Sequence, residues 1–157
     1  MSADGYDILK ALHVLGVVIL IGNVTITAFW KVFSDRTRDP RIIAHAQRGV
    51  TVADFIFTLA GIALVLIGGY GAALLRDVPL FAAGWLVWGQ LLFAASGLIW
   101  LGILVPLQIR QARAARLFAG GGEIPAAYWR DARLWLVWGV VATVPLVAAM
   151  YVMIVKP

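Results

Sequence analysis

Few residues in this chain have side chains capable of chemistry, and they are spread thinly through apolar sequence. His13 stands in "LKALHVLGVVILIGN", among aliphatic neighbours. A neutral imidazole there is a candidate axial ligand to haem iron, with a methionine such as Met150 or Met153 opposite. The same histidine and thioethers also suit copper(I), which prefers soft donors. Alternatively, His13 is a hydrogen-bonding tie between two helices and the methionines are ordinary packing. The residues alone leave these readings open. There is no cysteine, which excludes disulfides, zinc–thiolate sites and iron–sulfur clusters. No nucleophile–base pair or phosphate-binding glycine loop stands out, and the catalytic residues are unassigned.

The elements that must position these residues are membrane helices. The 157 residues are 62% hydrophobic and 13% charged, with a mean hydropathy of +0.92. A soluble domain carries roughly twice that share of charge. Four stretches are long and apolar enough to cross a bilayer, at about 8–30, 52–75, 80–107 and 134–155. The expectation is therefore all-α: a single domain, a four-transmembrane-helix bundle running up-down-up-down. The first span follows "MSADGYD", which is acidic, and no small-residue cleavage site follows it, so it reads as a permanent helix rather than a signal peptide.

Charge sets the expected orientation. Of 13 basic residues, ten lie in the first and third connections: Lys31, Arg36, Arg38, Arg41, Arg48, Arg110, Arg113, Arg116, Arg130 and Arg133. The positive-inside rule places both in the cytoplasm and both termini outside, in a periplasm bounded by a bacterial inner membrane. Contact with membrane lipid then accounts for the net charge of +5, and nucleic acid is not implied. The triplet Gly120–Gly122 marks a flexible point in the third connection. The pentapeptide "WLVWG" occurs at Trp85 and again at Trp135; both copies read as interfacial tryptophans.

Helix rise sorts the polar residues by depth. His13 lies roughly 8 Å inside the outer end of its span. Gln90, Met150 and Met153 fall in the same layer, with Tyr70, Tyr151, Trp85 and Trp88 nearby. Gly16, one turn from His13, would leave room for a flat macrocycle. Arg76, with Lys10, could meet propionates at the outer mouth. A second layer lies deeper. Asn23 and Thr27 share a face of the first span, and Arg48, Thr51, Asp54 and Thr58 form a polar stripe on the second. Asp54 is the one acidic residue within a span, only about 5 Å past its start. It is either functional or tied to Asn23, Thr27 or Arg48. His45 belongs to the inner side, too far from His13 to share a metal, and reads as solvated or headgroup-facing.

The stretches "LKALHVLGVVILIGN", Trp100 to Pro106, "YWRDARLW" and "MIVKP" together resemble a family of small bacterial predicted integral membrane proteins of unknown function, number twenty-two sixty-nine. More distantly, "KALH" is similar to the opening of HemJ-type protoporphyrinogen oxidases and of CopD-type copper-resistance membrane proteins. The first likeness implies haem b on His13 and a haem-dependent membrane oxidoreductase, with a quinone or porphyrin-like substrate. The lysine-containing motif that opens a later helix in HemJ-type enzymes has no counterpart in "FAAGWLVWGQLL". The second implies copper handling or small-solute transport. A non-catalytic scaffold, and a homo-oligomer formed through an exposed bundle face, complete the expectations.

Overall fold

The computed structural model describes residues 3–157. Four helices account for most of them: α1 (Ala3–Arg36), α2 (Pro40–Leu75), α3 (Gly84–Phe118) and α4 (Ala126–Val155). All four are long and apolar enough to span a membrane, and there is no strand among the described residues. Consecutive helices run antiparallel. Large apolar side chains face outward along their length, among them Val18, Ile67, Leu98 and Val144, as lipid contact requires.

Each helix extends past its expected span on the side of the long connections. The first connection shrinks to a tight turn. Arg38 takes a left-handed φ of 54°, and the Asp39 carboxylate caps α2 by accepting from the backbone N–H of Arg41 at 2.8 Å. Pro40 opens the helix, where its missing N–H costs nothing. Helices of 30–36 residues exceed the ~20 that cross hydrocarbon. The surplus carries most of the basic residues and closes over its own small core of Ile43, Ala115, Phe118, Tyr128 and Ala132. Hydropathy ends where lipid ends, whereas hydrogen-bonded helix continues into the polar zone.

Two single turns of π-helix interrupt the regular winding, at Asp54–Thr58 in α2 and Trp100–Leu104 in α3. The second directly precedes Pro106, whose ring removes one helical bond, and a widened turn absorbs that loss. In α4, Pro145 sits inside the helix. There the Ala142 carbonyl, one turn before, accepts the Ser96 hydroxyl of α3 at 2.8 Å.

The helices pair as two hairpins. Glycines bring α1 and α2 together closely. A Cβ placed on Gly68 would lie 2.5 Å from the His13 nitrogen and the Leu9 carbonyl oxygen, and one on Gly16 would lie 2.7 Å from the Val65 nitrogen. The hairpins meet through the half nearer the long connections, where Pro40–Ala53 packs on Val105–Phe118. Beyond the π-turns they part: no Cα of Leu59–Leu75 comes within 8 Å of one in Gly84–Ile99 among the described residues.

Candidate functional sites at two depths

Near the short connection, α1 and α2 hold His13. Its ring sits over Gly69, where an added Cβ would lie 2.7 Å from Nδ1. Nδ1 lies 2.9 Å from the Val65 carbonyl oxygen. A carbonyl only accepts, so Nδ1 carries the proton and Nε2 presents its lone pair. Nε2 has no hydrogen-bond partner among the described residues. A histidine whose Nδ1–H is tied to a backbone carbonyl is the arrangement that orients Nε2 toward a metal.

The other members of the expected outer layer have separate contacts. Gly16 opens no space beside His13: its face is filled by Gly61, Leu64 and Val65 of α2. It serves close helix packing, because a two-glycine crossing lets backbones touch. Gln90 is fully engaged. Its Nε2 donates to the carbonyls of Leu80 and Leu86, and its Oε1 accepts from the Tyr70 hydroxyl at 3.0 Å. That last bond spans the gap between the hairpins. From α4, Met153 lays its methyl group on Gly89 of α3, and Met150, also on α4, is half-buried. Arg76, at the end of α2, stacks on Tyr6, 4.3 Å from the ring centre. Among the described residues no three His, Asp or Glu side chains gather where they would hold a metal ion.

The deeper layer is more tightly built. Asp54 is buried, and it opens the π-turn of α2. Its Oδ1 accepts from the Thr58 hydroxyl at 2.9 Å and from Asn23 Nδ2 at 3.5 Å, and its Oδ2 accepts from Trp100 Nε1 at 3.0 Å. Trp100 opens the π-turn of α3. The two widened turns are therefore joined through this carboxylate and indole, at the level where the hairpins separate. Asn23 is the partner that sequence reasoning offered. Arg48 is exposed and forms no ion pair with it. Asp54 lies about 21 Å along α2 from Pro40, because the helix begins well before its apolar span.

Toward the long connections the buried residues remain polar. Lys31, 3% exposed, donates to Asp35 Oδ2 at 2.8 Å and to the Tyr128 hydroxyl at 2.7 Å, and that hydroxyl donates to Asp35 Oδ1 at 3.0 Å. Asp131 receives Arg110 in a two-point pair, at 2.8 and 3.3 Å. Gln47, Gln108 and Gln111 are each 1% exposed. Gln108 accepts from the Trp135 indole at 3.3 Å. Trp135, expected as an interfacial tryptophan, is thus a buried core residue rather than a lipid-facing one.

A family model described as "Predicted integral membrane protein (DUF2269)" matches residues 7–157. The chain belongs to this family. No curated protein and no solved structure matches it. For this DUF2269 chain the membrane-spanning all-helical architecture is therefore established by fold and family together. The family description carries no activity. The residues that sequence reasoning missed, Trp100 and the Lys31–Asp35–Tyr128 ring, left only weak traces. Lys31 and Asp35 have i,i+4 spacing, and Trp100 sits six residues before a proline.

Proposed function

We propose that the protein binds b-type haem through His13 Nε2 and serves electron transfer or a redox step in the leaflet that holds the short connection. The observation that carries this reading is the Nδ1 contact with Val65, 2.9 Å, which fixes the tautomer and leaves Nε2 as a free donor. His13 Nε2 is the nitrogen that would hold the iron. Haem, when bound, would supply one-electron chemistry. The Val65 carbonyl fixes the orientation of the His13 ring. The backbones of the hairpins part at this level, and Arg76 at the end of α2 would meet an anionic edge. Met150 and Met153 are the candidate second ligands for a carrier. A quinone or porphyrin-like molecule in the lipid is the class of redox partner. With the basic connections inward, this leaflet is the outer one of a bacterial inner membrane and both termini are periplasmic.

The test is the absorption spectrum of detergent-purified protein, oxidised and dithionite-reduced, with haem supplied during expression. A Soret band that disappears in His13→Ala supports the reading. A colourless wild type with haem in excess would sink it.

The buried Asp54 cluster favours a second reading: passage of an ion or small polar solute, with Asn23, Thr58 and Trp100 around the carboxylate. An intramembrane carboxylate is a functional hypothesis by default. Uptake in proteoliposomes that is lost in Asp54→Asn, with no pigment in the wild type, would select it. Copper handling is separated from both by copper binding that is lost in Met150→Leu together with Met153→Leu.

A further inference from the structure

A groove of about 810 Å³ runs between α1 and the first half of α2, on the side of the long connections. Its two walls differ in kind. From α1 come the large side chains of Ile26, Trp30 and Phe33, at spacings of four and three residues. From α2, beside Ile42 and Val50, come Ala46, Gly49 and Ala53, at the same helical rhythm but small. A Cβ added at Gly49 would meet nothing within 4 Å, so the groove is open at its centre. The wall is apolar along its length and polar at one end, where Arg41, His45 and Thr37 stand. No carboxylate pairs with the Arg41 guanidinium among the described residues. Its neighbour Asp39 is occupied with the backbone N–H groups of Arg41 and Ile42. Arg36 and Arg38 lie in the adjoining turn.

This is the profile of an amphiphile with a negative head and an apolar tail. We infer that the α1–α2 groove is a specific site for one anionic phospholipid. The headgroup phosphate lies on Arg41 with His45 as a second hydrogen-bonding group. An acyl chain lies along Trp30 and Phe33, over Gly49, toward Ala53. Basic pockets between helices at the membrane surface select anionic headgroups in this manner. The site stands on different residues from His13 and does not depend on haem.

The experiment is native mass spectrometry of the full chain released from micelles doped with equal phosphatidylglycerol and phosphatidylcholine of the same acyl chains. One phosphatidylglycerol should remain bound, favoured over phosphatidylcholine by about fivefold, the selectivity expected of one basic residue at an anionic headgroup. Arg41→Gln should abolish the preference. Gly49→Leu fills open space, so the fold should persist while lipid retention is lost. Ala46→Leu blocks the same groove if the first variant fails to fold, and circular dichroism reports folding for each. Equal retention of the two lipids by the wild type overturns the inference. So does an unchanged preference in Arg41→Gln, or full retention in a folded Gly49→Leu variant.

Discussion

Replacing Gly68 by alanine tests whether the close approach of α1 and α2 positions His13. The two atoms the new methyl would meet, the His13 nitrogen and the Leu9 carbonyl oxygen, are backbone and stand 2.5 Å away. Non-bonded heavy atoms rest at about 3.5 Å or more, so the helices must separate locally by about 1 Å. Neither partner is a flexible side chain that can swing aside. Two effects then oppose each other. Alanine is the better helix former by about 1 kcal/mol, and overpacking costs about 1–3 kcal/mol. Gly22→Ala on α1 provides the control, because a Cβ there meets nothing within 4 Å and only the propensity gain remains. Thermal or denaturant unfolding in a fixed detergent should show Gly68→Ala less stable than Gly22→Ala by about 1–3 kcal/mol. The same separation carries the Nδ1–Val65 contact from 2.9 Å toward about 4 Å, beyond hydrogen bonding. The nitrogen-15 shifts of His13 should then move toward those of a mixed-tautomer imidazole. Equal stabilities and unchanged shifts would refute the claim that glycine packing sets the imidazole.

Trp100→Phe removes the N–H that Asp54 Oδ2 accepts at 3.0 Å and should lower unfolding stability by about 1.5–3 kcal/mol, the range for a bond to a charged group. Trp88→Phe, at a residue 62% exposed, should be near neutral, and equal losses would remove any special role for the indole. Lys31→Met leaves Asp35 and Tyr128 without their shared donor in a buried setting, with an expected cost of about 3 kcal/mol. Arg110→Gln breaks a pair whose arginine is 55% exposed and should shift the unfolding midpoint far less than Lys31→Met, because solvent screens the pair; the reverse order in unfolding midpoints would contradict the burial argument.

The spans were legible in the sequence because a lipid-facing helix must be apolar nearly all round, and length alone then separates it from a core helix. The helix ends were not legible. Lys31 to Arg36, Gln108 to Phe118 and Ala126 to Arg133 carry charge, so hydropathy treats them as loop, yet each continues its helix into the polar zone. Gly16 illustrates a different limit. Its identity announces a close approach but not what approaches, and α2 fills the space that a macrocycle would need. The His13–Val65 bond was out of reach for a related reason. A backbone carbonyl has no sequence signature, so the partner that fixes the tautomer could not be read from residue types.

The π-turns place the polar layer in a mechanical context that depth counting misses. Each widened turn inserts one residue's worth of rotation, so the face that a helix presents before it differs from the face it presents after it. In α2 the turn begins at Asp54, and in α3 it begins at Trp100. The hydrogen bond between those two residues therefore joins the hairpins at the level where each helix changes face. On one side of that level lies a closed, polar-cored bundle. On the other, the backbones of the hairpins part, the Tyr70–Gln90 hydrogen bond bridges them, and His13 keeps a free Nε2. A site that must admit a ligand from the membrane needs its helices apart, and helices held apart at one end must be fastened at the other. Burying a carboxylate with three donors around it costs too much desolvation to be justified by packing alone. Fastening two hairpins at a fixed register is a role in which that cost has a return.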